Sequence, residues 1–168
     1  QTDLKRLVAY TSVSHMGFVL LGTFAWNELA LQGVMVQIVC HGVSTGALFF
    51  LAGALQERFH TRDLERLGGL WSEMPRLGGM MLFFALASLG LPGLGNFIGE
   101  FLVLLGAYRV SVPITVFAAL GFIAATLYAL RMVQRVLFGP RRSQERLPDL
   151  SVREVAAAAV MMAVIVWL

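Results

Sequence analysis

The chain has 168 residues, of which 58% are hydrophobic and 14% are charged. Because soluble domains carry about 25% charged residues, this composition excludes an ordinary water-soluble domain and indicates a membrane protein. The formal net charge of +3 comes from 13 Lys and Arg against 10 Asp and Glu, and we expect it to set orientation in the bilayer rather than to bind nucleic acid.

Five apolar runs predict the helices. A helix needs about 20 apolar residues to cross a hydrocarbon core about 30 Å thick. Long runs cover residues 7–25, 30–55, 78–108 and 113–137, and a short fifth run covers 152–168. We predict an all-α polytopic membrane protein with about five transmembrane helices in a single domain, 1–168. We also expect a fragment of a longer protein, truncated in its fifth span, because the chain starts at Gln1 and stops inside an apolar run.

The third run has an awkward length. Its 31 residues would make a straight helix of about 46 Å, too long for one comfortable crossing and too short for two. With one crossing, 12 of the 13 basic residues share one side, whereas with two crossings they divide 7 to 6. Positive residues gather in the cytoplasm, so we predict one crossing with cytoplasmic Arg-rich linkers. The shared side holds Lys5, Arg6, Arg58, Arg62, Arg66, Arg76, Arg131, Arg135, Arg141, Arg142, Arg146 and Arg153.

A single crossing of this length must be broken or strongly kinked, and the sequence "LPGLG" at 91–95 indicates the place. Pro92 removes a backbone donor, and the glycines permit non-helical angles. Freed backbone groups at membrane depth survive only when buried in protein or lining a wet cavity. Half-helix ends at mid-membrane recur at transporter ion sites, so we predict a polar pocket at the break.

Glu100 follows this break by about one and a half turns, within the hydrocarbon zone. A charged residue there costs about 2.5–3.5 kcal/mol on insertion scales. Burial in general disfavours an ionised carboxylate and a nearby cation favours it, so a carboxylate balanced between the two can load and release a proton. The alternative is a structural carboxylate that caps backbone donors freed at the break.

His41 lies near the middle of the second span. Gln37, His41 and Ser44 or Thr45 follow helical spacing and share one face, which forms a polar stripe on an apolar helix. Imidazole accepts and donates protons near neutral pH, so the stripe indicates a proton relay. The alternative is a histidine that hydrogen-bonds neighbouring helices for packing alone.

His15, in the first span, has Thr11 and Ser12 one turn before it, which predicts a weaker hydroxyl–imidazole face. His60 lies in a linker and is expected to be solvated. Arg131 and Arg135 end the fourth span, and we interpret them as snorkelling toward the cytoplasm. An ion pair between Arg131 and an acidic neighbour is the alternative.

Two small-xxx-small pairs, Gly42 with Gly46 and Gly95 with Gly99, predict close helix contacts. The single cysteine, Cys40, excludes an internal disulfide and a Cys-based metal site. The sequence shows no metal-ligand spacing, no phosphate loop and no nucleophile with a base. Redox or hydrolytic chemistry is therefore expected elsewhere.

Three segments carry a family resemblance: "DLKRLVAYTSVSHMGFVLLG", "CHGVSTGALFFLAGALQERFHTRDLERLGGLW" and "LGLPGLGNFIGEF". They closely resemble the C-terminal part of the subunit M family, the antiporter-like membrane subunits of bacterial NADH:quinone oxidoreductase, respiratory complex I. The resemblance covers about residues 2–140 well. It implies the last five helices of a fourteen-helix fold with inverted repeats, the run 78–108 as the broken helix, and the bacterial inner membrane.

The resemblance also implies roles. Glu100 would be the carboxylate at the far end of a line of buried polar residues that moves protons, His41 a relay and His15 a further polar residue. No redox cofactor or metal is implied in this chain. The partners would be other membrane subunits of complex I. The transported ion would be the proton, and quinone reduction elsewhere in the complex would drive its movement. The rivals are a subunit of a multisubunit sodium/proton antiporter and a purely structural bundle.

Overall fold

In a computed structural model, residues 2–140 and 147–168 are described, and they form seven helices joined by turns and loops. The helices are α1 (Leu4–Ala25), α2 (Glu28–Phe59), α3 (Leu70–Glu73), α4 (Pro75–Ser88), α5 (Gly95–Tyr108), α6 (Val112–Val136) and α7 (Val152–Trp167). The predicted all-helical fold is confirmed. Arg141, Arg142 and Arg146, which entered the charge argument, lie outside the described residues.

Short polar residues start three of these helices. The Asp3 side chain accepts a hydrogen bond from the backbone of Arg6, and Asn27 accepts one from the backbone of Ala30. Ser151 forms a reciprocal capping box with a glutamate three residues later. Such caps satisfy backbone donors that a first helical turn leaves free, so α1 and α2 begin before the apolar runs at 7 and 30.

The third apolar run folds as two half-helices, α4 and α5, separated by residues 89–94. Gly90 and Gly93 have φ angles of +69° and +99°, which residues with a Cβ rarely adopt. The break lies where "LPGLG" predicted it. It starts earlier, at Leu89, and Gly95 already belongs to α5.

The central helix of the bundle is α2, which packs against α1, α4, α5 and α7. Its closest contact is with α5, where glycines let the two backbones approach. A Cβ on Gly99 would lie 2.7 Å from the backbone nitrogen of Gln37, and one on Gly106 would lie 2.6 Å from that of Ala30. The structure therefore has the close contact that the Gly95 and Gly99 pair predicted.

The other glycine pair behaves differently. A Cβ on Gly42 or on Gly46 would have no atom of the described chain within 4 Å outside its own helix backbone and chain neighbours. Within the described residues, the prediction of a close helix contact there is wrong. Small-xxx-small spacing marks one face of a helix, and the spacing does not say whether another helix packs on that face.

The chain start and both long linkers meet at one end of the bundle. The backbone nitrogen of Leu4 donates to the carbonyl of Arg62 at 2.9 Å, and that of Trp71 donates to the carbonyl of Leu137 at 3.2 Å. One crossing of the third run requires this arrangement. Among the described helices, α1, α2 and α6 are long and apolar enough to cross a membrane by length and composition, and the membrane boundaries stay predictions.

Arg58 and Asp149 fasten three helix ends at this side of the bundle. Arg58, in the last turn of α2, donates to both carboxylate oxygens of Glu154 in α7, at 3.0 and 2.8 Å. The Asp149 carboxylate accepts from the backbone nitrogens of Arg76 and Leu77, at 2.8 and 3.1 Å. Because α4 has no side-chain cap of its own, Asp149 supplies the cap from another part of the chain.

We expect Asp149→Ala to lower the free energy of unfolding by about 2 kcal/mol, because two backbone donors at the start of α4 lose their acceptor. Asp149→Asn keeps one acceptor oxygen and should lose about half as much. Thermal unfolding of the full-length parent protein in detergent measures both, with the exposed Glu57→Ala as control. Equal melting temperatures for wild type and Asp149→Ala would contradict the capping role.

Candidate functional site

Glu100 lies in the second turn of α5 and is buried, with 1% of its surface exposed. One carboxylate oxygen, Oε1, lies 2.7 Å from Nδ1 of His15 in α1 and accepts a hydrogen bond from Nε2 of Gln37 in α2 at 3.2 Å. A buried carboxylate without partners is costly. The imidazole of His15 and the amide of Gln37 therefore stabilise the buried carboxylate of Glu100.

The second oxygen of Glu100, Oε2, faces the helix break. A Cβ on Gly90 would lie 2.7 Å from it, so a larger residue at this point would have to displace the carboxylate. Oε2 has no hydrogen-bond partner among the described residues. The break thus forms one wall of the site, and the polar pocket that the sequence predicted there stays a prediction.

His15 is the direct partner of Glu100, and His41 is a neighbour of His15. The two imidazole centroids are 5.2 Å apart. The hydroxyl of Thr45 lies 3.3 Å from the His41 ring nitrogens. Both histidines are buried, with 3% and 7% of their surfaces exposed. The resemblance implied His41 as the relay residue, and in the described structure the imidazole that contacts the carboxylate is that of His15.

The polar stripe predicted on α2 is present. Gln37, His41 and Ser44 are all buried. The stripe meets Asn96 of α5, whose amide nitrogen donates to the Ser44 hydroxyl at 3.0 Å. Sequence reasoning missed Asn96, although its position one helical turn before Glu100 was a usable signal.

The predicted face of α1, with Thr11 and Ser12 one turn before His15, is present. The two hydroxyls donate to the backbone carbonyl of Val8, at 2.7 and 3.3 Å, and not to the imidazole. The hydroxyl that does approach His15 belongs to Tyr128 of α6, at 3.5 Å from Nε2. Sequence reasoning missed Tyr128, whose signal was a phenol inside an otherwise apolar helix.

The remaining candidates lie away from this cluster. His60 is exposed and ends α2 in a left-handed conformation. Arg131 and Arg135 are exposed, and neither forms an ion pair within the described residues. The alternative of an ion pair between Arg131 and an acidic neighbour is therefore absent from the described structure. Residues 2–140 and 147–168 also contain no group of three or more His, Cys, Asp and Glu placed to hold a metal.

The geometry defines what the site can do. Oε1 of Glu100 and Nδ1 of His15 lie 2.7 Å apart, a hydrogen-bond distance at which a proton can pass between a carboxylate and an imidazole. Side chains from α1, α2, α5 and α6 converge here, so the site depends on tertiary packing. Proton exchange between Glu100 and His15 is the chemistry that this arrangement supports.

Comparisons with known proteins agree with this description. Residues 1–127 match the family model for "NADH:quinone oxidoreductase/Mrp antiporter, TM". The whole chain is 53% identical over 168 residues to NADH-quinone oxidoreductase subunit M of Pseudomonas aeruginosa and 48% identical over 171 residues to that of Escherichia coli. It covers 33% and 34% of those proteins, so the chain spans about a third of the length of the curated relatives.

Among solved structures, respiratory complex I from Thermus thermophilus with bound NADH contains a similar chain. The TM-score is 0.93 at 37% sequence identity, and the match covers 99% of this chain and 35% of the other. The broken-helix bundle described above is therefore similar in fold to about a third of that chain.

Proposed function

This chain belongs to the NADH:quinone oxidoreductase/Mrp antiporter family of membrane subunits, and on that premise we propose that it is part of a proton-translocating subunit of NADH:quinone oxidoreductase. In this proposal the protein is a multi-pass component of a bacterial inner membrane. Its Arg-rich linkers face the cytoplasm, and its partners are the other membrane subunits of the complex. Quinone reduction elsewhere supplies the energy, and this segment holds no redox cofactor.

The contact between Glu100 and His15 carries the proposal. Both groups are buried beside a helix break, and Oε1 lies 2.7 Å from Nδ1, close enough for a proton to pass between them. Ionisable residues inside a membrane are costly and usually serve transport. A purely structural carboxylate at a break would have freed backbone donors as partners. The hydrogen bonds to Glu100 come instead from an imidazole and an amide.

The geometry supports the following roles within this proposal. Glu100 loads and releases the proton at Oε1 or Oε2. His15 exchanges protons with Glu100 through Nδ1, and His41 passes them further along the bundle. Gln37 donates to Oε1 and holds the carboxylate in place, because its own backbone packs against Gly99 of the same helix as Glu100.

The second candidate is a subunit of a sodium/proton antiporter, since the matched family includes Mrp antiporters. In that case the energy comes from an ion gradient, and NADH oxidation does not require the protein. The donor set around Glu100 favours protons, because hard cations prefer oxygen ligands and Oε1 is approached by two nitrogens.

Deletion of the full-length parent gene distinguishes a subunit of NADH:quinone oxidoreductase from a subunit of a sodium/proton antiporter. We expect inverted membrane vesicles to lose NADH-driven quinone reduction and proton uptake together, and complementation to restore both. The same vesicles, assayed without NADH, should show unchanged proton movement on addition of Na⁺. If vesicles from the deletion strain keep NADH-driven proton uptake and lose Na⁺-driven proton exchange, the protein belongs to an antiporter and the proposal is overturned.

A further inference from the structure

Tyr128 is the polar side chain of α6 that reaches the site. It lies eight residues before Val136, the end of α6, which places it about 12 Å from that end. Its side chain is half-buried, and its hydroxyl is 3.5 Å from Nε2 of His15. This separation is at the outer limit of hydrogen bonding, and a movement of about 0.7 Å would close it to an ordinary bond.

The two nitrogens of His15 have different neighbours. Nδ1 contacts Glu100 and Nε2 faces Tyr128. An imidazole that accepts a proton at one nitrogen and releases one from the other carries a proton across its own ring. The order Tyr128, His15, Glu100 therefore forms a directed chain across three helices.

Tyr128 also lines a cavity on the side away from His15. The cavity has a volume of about 140 Å³ and is lined by Leu7, Leu64, Tyr128, Arg131, Met132 and Arg135. Leu7 lies near the start of α1 and Leu64 lies in the linker after α2. The cavity thus lies toward the end of the bundle where the chain start meets the first long linker.

We propose that Tyr128 is a proton relay that connects this cavity to the His15–Glu100 pair, an inference that rests on the proposed function. In the loading direction, hydronium in the cavity gives a proton to the Tyr128 oxygen and leaves as water. The Tyr128 O–H bond breaks as the Nε2–H bond of His15 forms, and Nδ1 releases its proton to Oε1 of Glu100. Tyr128 and His15 end neutral, and one proton has moved to the carboxylate.

The 3.5 Å between the Tyr128 hydroxyl and His15 Nε2 means that the relay can be turned on and off. Proton transfer needs a hydrogen bond between donor and acceptor, so the link conducts when the Tyr128 hydroxyl and His15 Nε2 approach. The side of the bundle that bears Arg131 and Arg135 exchanges protons with Glu100 through this link. In the proposed topology that side is the cytoplasm.

Three variants of the full-length parent protein, in its native complex, test the relay. Tyr128→Phe keeps the ring and removes the hydroxyl, Tyr128→His keeps a group that donates and accepts protons, and the exposed Tyr10→Phe is the matched control. We expect NADH-driven proton uptake per assembled complex to fall about tenfold in Tyr128→Phe. It should recover to within about threefold of wild type in Tyr128→His and stay unchanged in Tyr10→Phe.

The other outcomes are distinguishable. Normal uptake in Tyr128→Phe with failure of Tyr128→His would mean that the ring only packs, and the relay would be refuted. To separate this from failure of the proposed function, Glu100→Gln is measured in the same membranes. If Tyr128→Phe is normal and Glu100→Gln is inactive, the relay fails and the function stands; if both are normal, the function itself fails.

Discussion

Glu100→Gln in the full-length parent protein should abolish NADH-driven proton uptake, with a loss of about 100-fold, while the complex still assembles. The amide has the size of the carboxylate and its oxygen still accepts from His15 Nδ1 and Gln37 Nε2, so the packing around it persists. An amide cannot load a proton, and loss of a positioned acid–base group costs about 10²–10⁴ in rate. Uptake into inverted vesicles measures proton pumping, and a native gel measures assembly of the complex.

Glu57→Gln is the matched control for this substitution. Glu57 lies exposed near the end of α2, outside the Glu100 cluster. The same change of carboxylate to amide there should leave proton uptake unaltered. If Glu100→Gln assembles and pumps normally, Glu100 is a structural group, and the site assignment is wrong while the family membership holds.

The candidate residues on α2 and α5 could be found in the sequence because polar groups in apolar runs are conspicuous. Glu100, His41, Gln37 and Ser44 all stand in runs where each polar group is costly, and that cost is a local property of the chain. The broken helix was predictable for the same reason, since Pro92 and its neighbouring glycines act on their own backbone.

The contact between His15 and Glu100 could not be predicted in this way. The two residues are 85 positions apart, and their meeting depends on how α1 and α5 pack against α2. Tyr128 was missed because one phenol in an apolar helix also fits a residue at the membrane interface. Local patterns thus identified most of the ionisable groups, and tertiary packing decided which of them are partners.

Gly99→Ala should have the largest effect on stability, lowering the free energy of unfolding by about 3 kcal/mol. The added Cβ would lie 2.7 Å from the Gln37 backbone nitrogen and 2.7 Å from its Oε1, so α2 and α5 must separate. That separation also moves Gln37 away from Glu100, and proton uptake should fall with stability. Thermal unfolding of the detergent-solubilised parent protein and vesicle assays measure both effects.

Gly46→Ala gives the opposite expectation from the same sequence pattern. Its Cβ meets no atom within 4 Å in the described structure, and alanine favours a helix over glycine by about 1 kcal/mol, so this variant should be as stable as wild type or more so. The two substitutions then change stability in opposite directions because, within the described residues, only Gly99 lies under another helix. If Gly46→Ala destabilises the protein as much as Gly99→Ala does, Gly46 contacts a helix outside the described residues, and the comparison between the two pairs fails.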